Sequence, residues 1–205
     1  MAVAFPDRPR STAPRAWPLD RRRVVLRRLA DGTVVAIGHL GPGDGPRIRA
    51  GFERLSPTSR YRRFFTPIPR LSEPMLARLT AIDGWRHVAI GAETVPAFGG
   101  HPIEAGVARF HRLDGRADAA EVAVTVVDEL QRRGLGRILL EEIASAARER
   151  GIRSLVANVL PENEPMLRLI RRIDPDAVAH LEDGLYVYEI SLVRGVRLWT
   201  PRRAA

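Results

Sequence analysis

A change of hydrophobic period within residues 119–150 constrains the fold of this chain more than any other feature. Between residues 119 and 127, valines alternate with small or polar residues, a pattern typical of a β-strand. From Leu135 to Ala146, apolar residues recur at helical spacing instead. The sequence therefore predicts a strand that passes through a tight, basic turn at residues 131–136 directly into a long amphipathic helix.

The predicted turn has the features of an anion-binding site. A helix N-terminus presents N–H groups without helical partners and carries a partial positive charge. Gly134 and Gly136 lack a Cβ atom, so a ligand can approach the main chain closely. We therefore expect a phosphate group to bind at residues 131–137.

Two common nucleotide sites are disfavoured here. A dinucleotide fingerprint would need a glycine at position 139 and an acidic residue about twenty positions later, where Leu139 and the apolar residues 155–157 stand. A Walker-type loop needs a lysine, and all 33 basic residues of the chain are arginines. The phosphate ligand is therefore of another kind.

Gln131, Gly134 and Gly136 resemble the Gln/Arg-x-x-Gly-x-Gly/Ala signature of the GNAT superfamily of acyl-CoA N-acetyltransferases. In that family the signature lies between the fourth strand and the third helix. The strand RSLVANVL and the helix after Asn163 resemble the downstream half of the same site. The resemblance implies that coenzyme A lies in a cleft between two splayed strands, with its pyrophosphate on the amides of residues 131–137.

The order of predicted elements indicates an α/β (α+β) fold. An Asp31-Gly32 hairpin comes first, followed by three short helices, three strands, the signature helix, and then strands and a helix up to residue 192. The resemblance implies a GNAT-like, mixed and mostly antiparallel central sheet of about seven strands flanked by helices.

A narrower likeness lies in LSPTSRYRRFF, residues 55–65. This segment looks like the first-helix region in the catalytic domain of bacterial protein-lysine acetyltransferases. The likeness indicates that the acceptor side of the GNAT fold is present, and it says less about whether the substrate is a protein. Tyr61, Phe64 and Phe65 either line an acceptor pocket or belong to the core, as aromatic residues at helical spacing often do.

Length and composition predict one domain at residues 21–193 between a disordered Pro- and Arg-rich tail at 1–20 and a basic tail at 194–205. No apolar run reaches the roughly 18 residues of a membrane span, so we expect a soluble, cytoplasmic protein. The chain has no cysteine, and its five histidines lack ligand spacing, so no metal is predicted. Of the net charge of +9, most lies near the two ends, which makes nucleic-acid binding the weakest hypothesis.

Glu121 is the predicted catalytic residue. It shares a strand face with Ala123 and Thr125, so we expect its carboxylate at a partly desolvated cleft, where a carboxylate becomes a stronger base. There it would take a proton from the attacking amine, directly or through a water. Its placement also resembles the catalytic glutamate of the protein-lysine acetyltransferases. The alternative is that Glu121 lies on a solvated face of the strand. Glu104, on the preceding strand, is the second candidate for the general base.

The remaining roles follow from position and from the resemblance. Backbone N–H groups near Val126 and Val127 would hold the pantetheine arm and polarise the thioester carbonyl. Arginines of the turn either pair with phosphates or are only solvated, and Asn163 is either a coenzyme contact or a helix N-cap. The residues assigned to acetyl-CoA binding are Val126, Val127, Gln131, Arg132, Arg133, Gly134, Leu135, Gly136, Arg137 and Asn163.

One departure from the family concerns the general acid. Ile170 stands where many relatives carry a tyrosine that protonates the departing thiolate, and Asp174-Pro175 replaces the usual Gly-Phe ending. Tyr186, Tyr188 or water would then substitute.

The leading hypothesis is direct transfer of an acetyl group from acetyl-CoA to a primary amine of a protein lysine, a peptide or a small molecule. The alternative is a coenzyme-binding sensor or accessory module with little turnover. A homodimer is left open, and no membrane partner is expected.

Overall fold

Eight strands form one sheet in the computed structural model, which describes residues 24–96 and 100–193. The predicted tails at 1–20 and 194–205 lie outside these ranges. The strands are β1 (Val25–Arg28), β2 (Val34–His39), β3 (His87–Thr94), β4 (Glu104–Arg112), β5 (Ala119–Val126), β6 (Ser154–Val159), β7 (Val178–Glu182) and β8 (Leu185–Ser191). The helices are α1 (Gly45–Glu53), α2 (Pro57–Phe64), α3 (Glu73–Thr80), α4 (Leu135–Glu149) and α5 (Glu164–Ile173).

The strand order is β1-β2-β3-β4-β5-β6-β8-β7, and only the β5–β6 pair is parallel. The predicted mixed, mostly antiparallel sheet is therefore confirmed, with eight strands where about seven were expected. The predicted turn at Gly32 and the β7–β8 turn at Asp183-Gly184 both use the left-handed backbone conformation that tight hairpins require.

The long helix begins and ends where the sequence predicts. Gly134 precedes α4 with φ at 91°, and Gly151 follows it with φ at 76°, values that favour glycine at both ends. Leu135, Leu139 and Ile143 are buried, and α4 packs against β3, β4 and β5. The helical period of apolar residues thus places one face of α4 on the sheet.

The two faces of β5 meet different helices. Ala123 and Thr125 line a small cavity together with residues of α1 and α2, so their face of the sheet points toward those helices. The opposite face lies toward α4, as the approach of Gly106 to Leu139 shows. The strand therefore separates a layer of α1 and α2 from the α4 layer.

The parallel pair β5–β6 separates along its length. Its register covers only residues 119–121 against residues 154–156, whereas β5 continues to Val126 and β6 to Val159. Backbone groups past this point lack a partner strand, and an open wedge forms between the two strands. The splayed pair that the resemblance implied is therefore present.

Gly106 allows the close approach of β4, β5 and α4. A Cβ atom at this position would lie 2.7 Å from the Thr125 carbonyl oxygen and 3.0 Å from Leu139 Cδ1. We expect Gly106→Ala to lower the free energy of unfolding by about 2 kcal/mol, because backbone must shift to admit the methyl group. Urea denaturation measures the loss. Gly43→Ala is the control, since no atom lies within 4 Å of its Cβ position, and an equal loss there would contradict this explanation.

No helix within residues 24–96 and 100–193 is both long and apolar enough to cross a membrane.

Candidate functional site

A groove of about 650 Å³ opens where β5 and β6 separate. Its walls come from β5, the turn at residues 131–137, α2 and α5. Eight of the residues predicted for the site line it, namely Glu121, Val126, Gln131, Arg132, Gly134, Gly136, Arg137 and Asn163. Predicted site residues that lie 42 positions apart in the chain therefore meet in one groove.

The N-terminus of α4 forms one end of the groove. The first helical hydrogen bond runs from Ile138 N to Gly134 O at 3.2 Å, so the N–H groups of residues 135–137 have no acceptor within the helix. Arg132 also adopts the left-handed conformation, with φ at 61°, which is uncommon for a residue other than glycine. N–H groups without a helical acceptor and the helix dipole together favour an anion at this end.

The side chains of the turn divide between the groove and the rest of the protein. Arg132 and Arg137 line the groove, and Arg137 Nε also lies 2.8 Å from Glu141 Oε1. Arg133 instead forms an ion pair with Asp31 in the β1–β2 turn. Leu135 is 1% exposed and belongs to the core. The predicted phosphate contact of the Arg133 side chain is therefore not what the structure shows, and Leu135 contributes only its backbone to this end.

The predicted backbone donors of β5 also differ from one another. The Val127 N–H donates to Ala105 O at 3.0 Å, so it is not available to a ligand as expected. Backbone groups of successive residues in a strand point to opposite sides. The Val126 N–H therefore points toward β6, which has moved away at this depth. Val126 O, on the same side, accepts a hydrogen bond from Gln131 Nε2 at 3.1 Å.

A polar network joins the start of α2 to the turn. Asp128 accepts hydrogen bonds from Ser56 N, Ser56 Oγ and Ser59 Oγ at 2.9, 2.7 and 2.9 Å. Gln131 Nε2 donates to Ser59 Oγ at 3.1 Å. The side chain of Gln131 therefore holds the turn against α2. Sequence reasoning missed this network because Ser59 and Asp128 are 69 positions apart and no local pattern pairs them.

We expect Asp128→Asn to lower the free energy of unfolding at pH 7 by about 1 kcal/mol, a modest loss because solvent screens this exposed carboxylate. Burial raises the pKa of Asp128, but the hydrogen bonds from Ser56 and Ser59 outweigh it, and the net pKa is lowered. A lowered pKa adds stability above the unfolded value of about 3.9, which is lost as the pH falls through the folded value.

Thermal unfolding between pH 3 and pH 8 measures this effect. The difference in Tm between the natural protein and Asp128→Asn is expected to be constant above about pH 5 and to shrink below about pH 4. Asp118→Asn changes an exposed carboxylate outside the network and is the control. A difference that grows toward acid pH would contradict the assignment.

Glu121 lies on the wall of the groove and is exposed, so the expected burial of its carboxylate is not found. The residue is the last of β5 to pair with β6, and the strands open immediately beyond it. The half-buried Arg63 of α2 is a cation close enough to interact with it. Burial lowers the pKa of the Arg63 guanidinium, and the Glu121 carboxylate partly opposes that shift.

The second candidate for the general base is engaged elsewhere. Glu104 accepts hydrogen bonds from Arg47 Nε at 2.6 Å and from Arg47 Nη2 at 3.2 Å. It lines the small cavity on the α1 side of the sheet and is not among the residues of the groove. Proton transfer through Glu104 would first require this ion pair to break.

Residues of β6 and α5 complete the groove. Asn163 Oδ1 accepts a hydrogen bond from Met166 N at 3.4 Å, so it caps α5 as well as lining the groove. Asn158 and the arginines of α5 (Arg168, Arg171 and Arg172) line the groove too, and sequence reasoning missed them. The signal for Asn158 was a polar residue within an otherwise apolar strand.

Of the residues predicted for the acceptor pocket and for the general acid, some line the groove and others lie in the core. Phe65 lines the groove, whereas Phe64 packs edge-on against Phe52 with ring centroids 5.9 Å apart. Ile170 is fully buried, and Tyr188 is 6% exposed. No tyrosine lines the groove in the part of the chain that the structure describes.

Comparisons with known proteins agree with this geometry. Residues 96–174 match the Acetyltransferase (GNAT) family. An acetyltransferase of Pseudomonas aeruginosa is 30% identical in an alignment of 154 residues that covers 72% of this chain and 81% of that protein. The acetyltransferase Pat of Mycolicibacterium smegmatis is 33% identical over 132 residues, which are 64% of this chain but only 38% of that protein. The crystal structure of the GNAT domain of S. lividans PAT superposes with a TM-score of 0.72 at 33% identity, covering 82% of this chain and 96% of that domain.

Proposed function

Because the chain belongs to the GNAT acetyltransferase family, we propose that it transfers an acetyl group from acetyl-CoA directly to a primary amine in a ternary complex. The observation that carries the proposal is the groove between β5 and β6, which ends at the N-terminus of α4. Its volume of about 650 Å³ and its arginines suit a long anionic ligand.

Each part of the groove has a role in this proposal. The N–H groups of residues 135–137 and the side chains of Arg132 and Arg137 bind the pyrophosphate. The Val126 N–H donates to the thioester carbonyl and stabilises the negative charge that develops there. Glu121 accepts the proton that the amine must lose. A thiol with a pKa of about 8.5 is a good enough leaving group to depart as the thiolate without a positioned general acid. Ile170 in place of the family's tyrosine therefore does not prevent transfer.

A second candidate is a coenzyme-binding sensor or accessory module with little turnover. The observation that favours it is the fully buried Ile170 at the family's tyrosine position, together with the absence of tyrosine from the described lining of the groove. This candidate predicts stabilisation by coenzyme A without turnover.

Thiol release from acetyl-CoA, measured with a panel of protein, peptide and small-molecule amines, separates the two candidates. The proposal expects release that depends on at least one amine, together with binding of acetyl-CoA in calorimetry. The chain contains no lysine, so any acetyl-lysine found by mass spectrometry comes from the added acceptor. Binding without release from any amine would favour the sensor, and absence of binding would contradict both.

A further inference from the structure

A second, smaller cavity of about 60 Å³ lies beside the groove, between the sheet and helices α1 and α2. Arg63, Ala123 and Thr125 line both spaces, so the small cavity adjoins the strand segment next to the proposed site of transfer. Its remaining walls are mostly apolar, and Arg109 of β4 is among them. Its volume suits a small chemical group rather than a whole substrate.

Arg109 is a buried cation without a matching anion. It is 5% exposed, and its Nη1 donates to Leu79 O at 3.0 Å and to His87 Nε2 at 3.3 Å. Among the described residues, no carboxylate contributes to the electrostatics of Arg109, and the two hydrogen bonds of its guanidinium both come from Nη1. A buried charge is costly unless it is paired, so this arrangement calls for a ligand.

His87 does not supply negative charge or compete with a ligand. Its Nδ1 lies 3.0 Å from Ala81 O, which places the proton there and leaves Nε2 as the acceptor from Arg109. Burial, with further contributions from His111 and Arg109, lowers the pKa of His87 to about 3. The imidazole is therefore neutral near pH 7, and the charge of Arg109 remains uncompensated.

Arg63 brings a second cation to the same cavity. In the described part of the chain its guanidinium has no hydrogen-bond acceptor, and its central carbon lies 4.9 Å from the centroid of the Phe64 ring. Burial, followed by the charge of Arg63, lowers the pKa of Arg109 to about 9, which is consistent with two guanidinium groups close to one another. An anion between them would relieve this repulsion.

The other charges of the small cavity are already matched. Arg47 donates to Glu104, as described above, and its Nη2 lies 2.8 Å from Glu93 Oε2. The Glu104 carboxylate is therefore committed to Arg47 and does not neutralise Arg109. Glu121, which lines the groove and not the small cavity, is the carboxylate that interacts with Arg63, and none of the carboxylates that the structure describes contributes to the electrostatics of Arg109. The small cavity thus has an excess of positive charge beside an apolar wall, the combination that recognises a small organic anion.

We propose that the small cavity is a carboxylate subsite, which binds a carboxylate group carried by the acyl donor or by the amine acceptor. This inference rests on the proposed acyl transfer. In that reaction the amine nitrogen bonds to the acyl carbon as the carbon–sulfur bond breaks, and the amine proton passes through Glu121 to solvent. Coenzyme A leaves as the thiolate and takes a proton from solvent to become the thiol. The bound carboxylate takes no part in these bond changes and only orients its molecule.

Calorimetry with succinyl-CoA and butyryl-CoA tests the donor as the source of the carboxylate, because the two acyl chains have equal carbon number. The acceptor is tested with acetyl-CoA and pairs of amino acids and their carboxamides, compared by kcat/KM. In one of the two comparisons, we expect the natural protein to favour the compound with the carboxylate by about tenfold or more, in affinity for the donors or in kcat/KM for the acceptors. Hydrogen bonds to a charged group provide a difference of this size.

Arg109→Gln and Arg63→Gln are expected to remove that preference, and Arg109→Lys to restore part of it. Arg78→Gln makes the same charge change on the exposed surface of α3 and is expected to retain the preference. Arg63 is only half-buried, so Arg63→Gln is expected to fold. It therefore still tests the inference if Arg109→Gln does not fold. Equal values in both comparisons, or a preference unchanged in both Gln variants, would overturn the inference. Absence of acetyl-CoA binding would instead contradict the proposed function.

Discussion

Glu121→Gln is expected to lower kcat for amine acetylation by about 100-fold or more, which is the usual contribution of a general base. The amide keeps the shape of the side chain but does not accept the proton of the attacking amine. Glu121 is exposed on the groove wall, so the substitution buries no new polar group, although the half-buried Arg63 loses the carboxylate that interacts with it. We therefore expect the affinity for acetyl-CoA to be unchanged and the Tm to change only slightly, as calorimetry and thermal unfolding would show.

The control for this experiment is Glu53→Gln, the same chemical change at an exposed position of α1 outside the groove. The rate of Glu121→Gln is also expected to recover partly at high pH, where more of the amine is already deprotonated. Full activity in Glu121→Gln would remove this residue from the mechanism and leave proton transfer to water.

Gly136→Asp is expected to weaken acetyl-CoA binding by about 100-fold or more without unfolding the protein. A Cβ atom at Gly136 would lie 3.7 Å from Val126 Cγ2 and 3.8 Å from Leu169 Cδ2, which are ordinary contact distances. A carboxylate in the first turn of a helix also interacts favourably with the helix dipole. The same charge faces the bound phosphates, however, and like charges about 4 Å apart near a protein surface repel by about 4 kcal/mol.

Ser145→Asp is the matched control, because it adds one carboxylate to the exposed face of the same helix, more than two turns from its N-terminus. Calorimetric titration with acetyl-CoA measures the affinity, and thermal unfolding verifies that both variants are folded. Equal affinities for Gly136→Asp and Ser145→Asp would place the pyrophosphate somewhere other than the start of α4.

The strand, turn and helix of residues 119–150 were predictable from the sequence because each depends on residues close together in the chain. Alternating valines define β5, the spacing of Leu135, Leu139 and Ile143 defines the buried face of α4, and only a glycine readily adopts the backbone conformation found at position 134. The family of the chain followed from the same local motif.

The environment of each side chain was decided by the tertiary structure. Glu121 is exposed because β5 and β6 separate beside it, and Arg133 pairs with Asp31, which lies 102 positions earlier in the chain. Among the described residues, Arg109 is buried without a carboxylate partner, whereas Arg47 pairs with Glu104, which lies 57 positions later in the chain. Local sequence sets the conformation of the backbone, whereas burial and charge pairing depend on which distant elements pack together, and no short stretch of sequence encodes that.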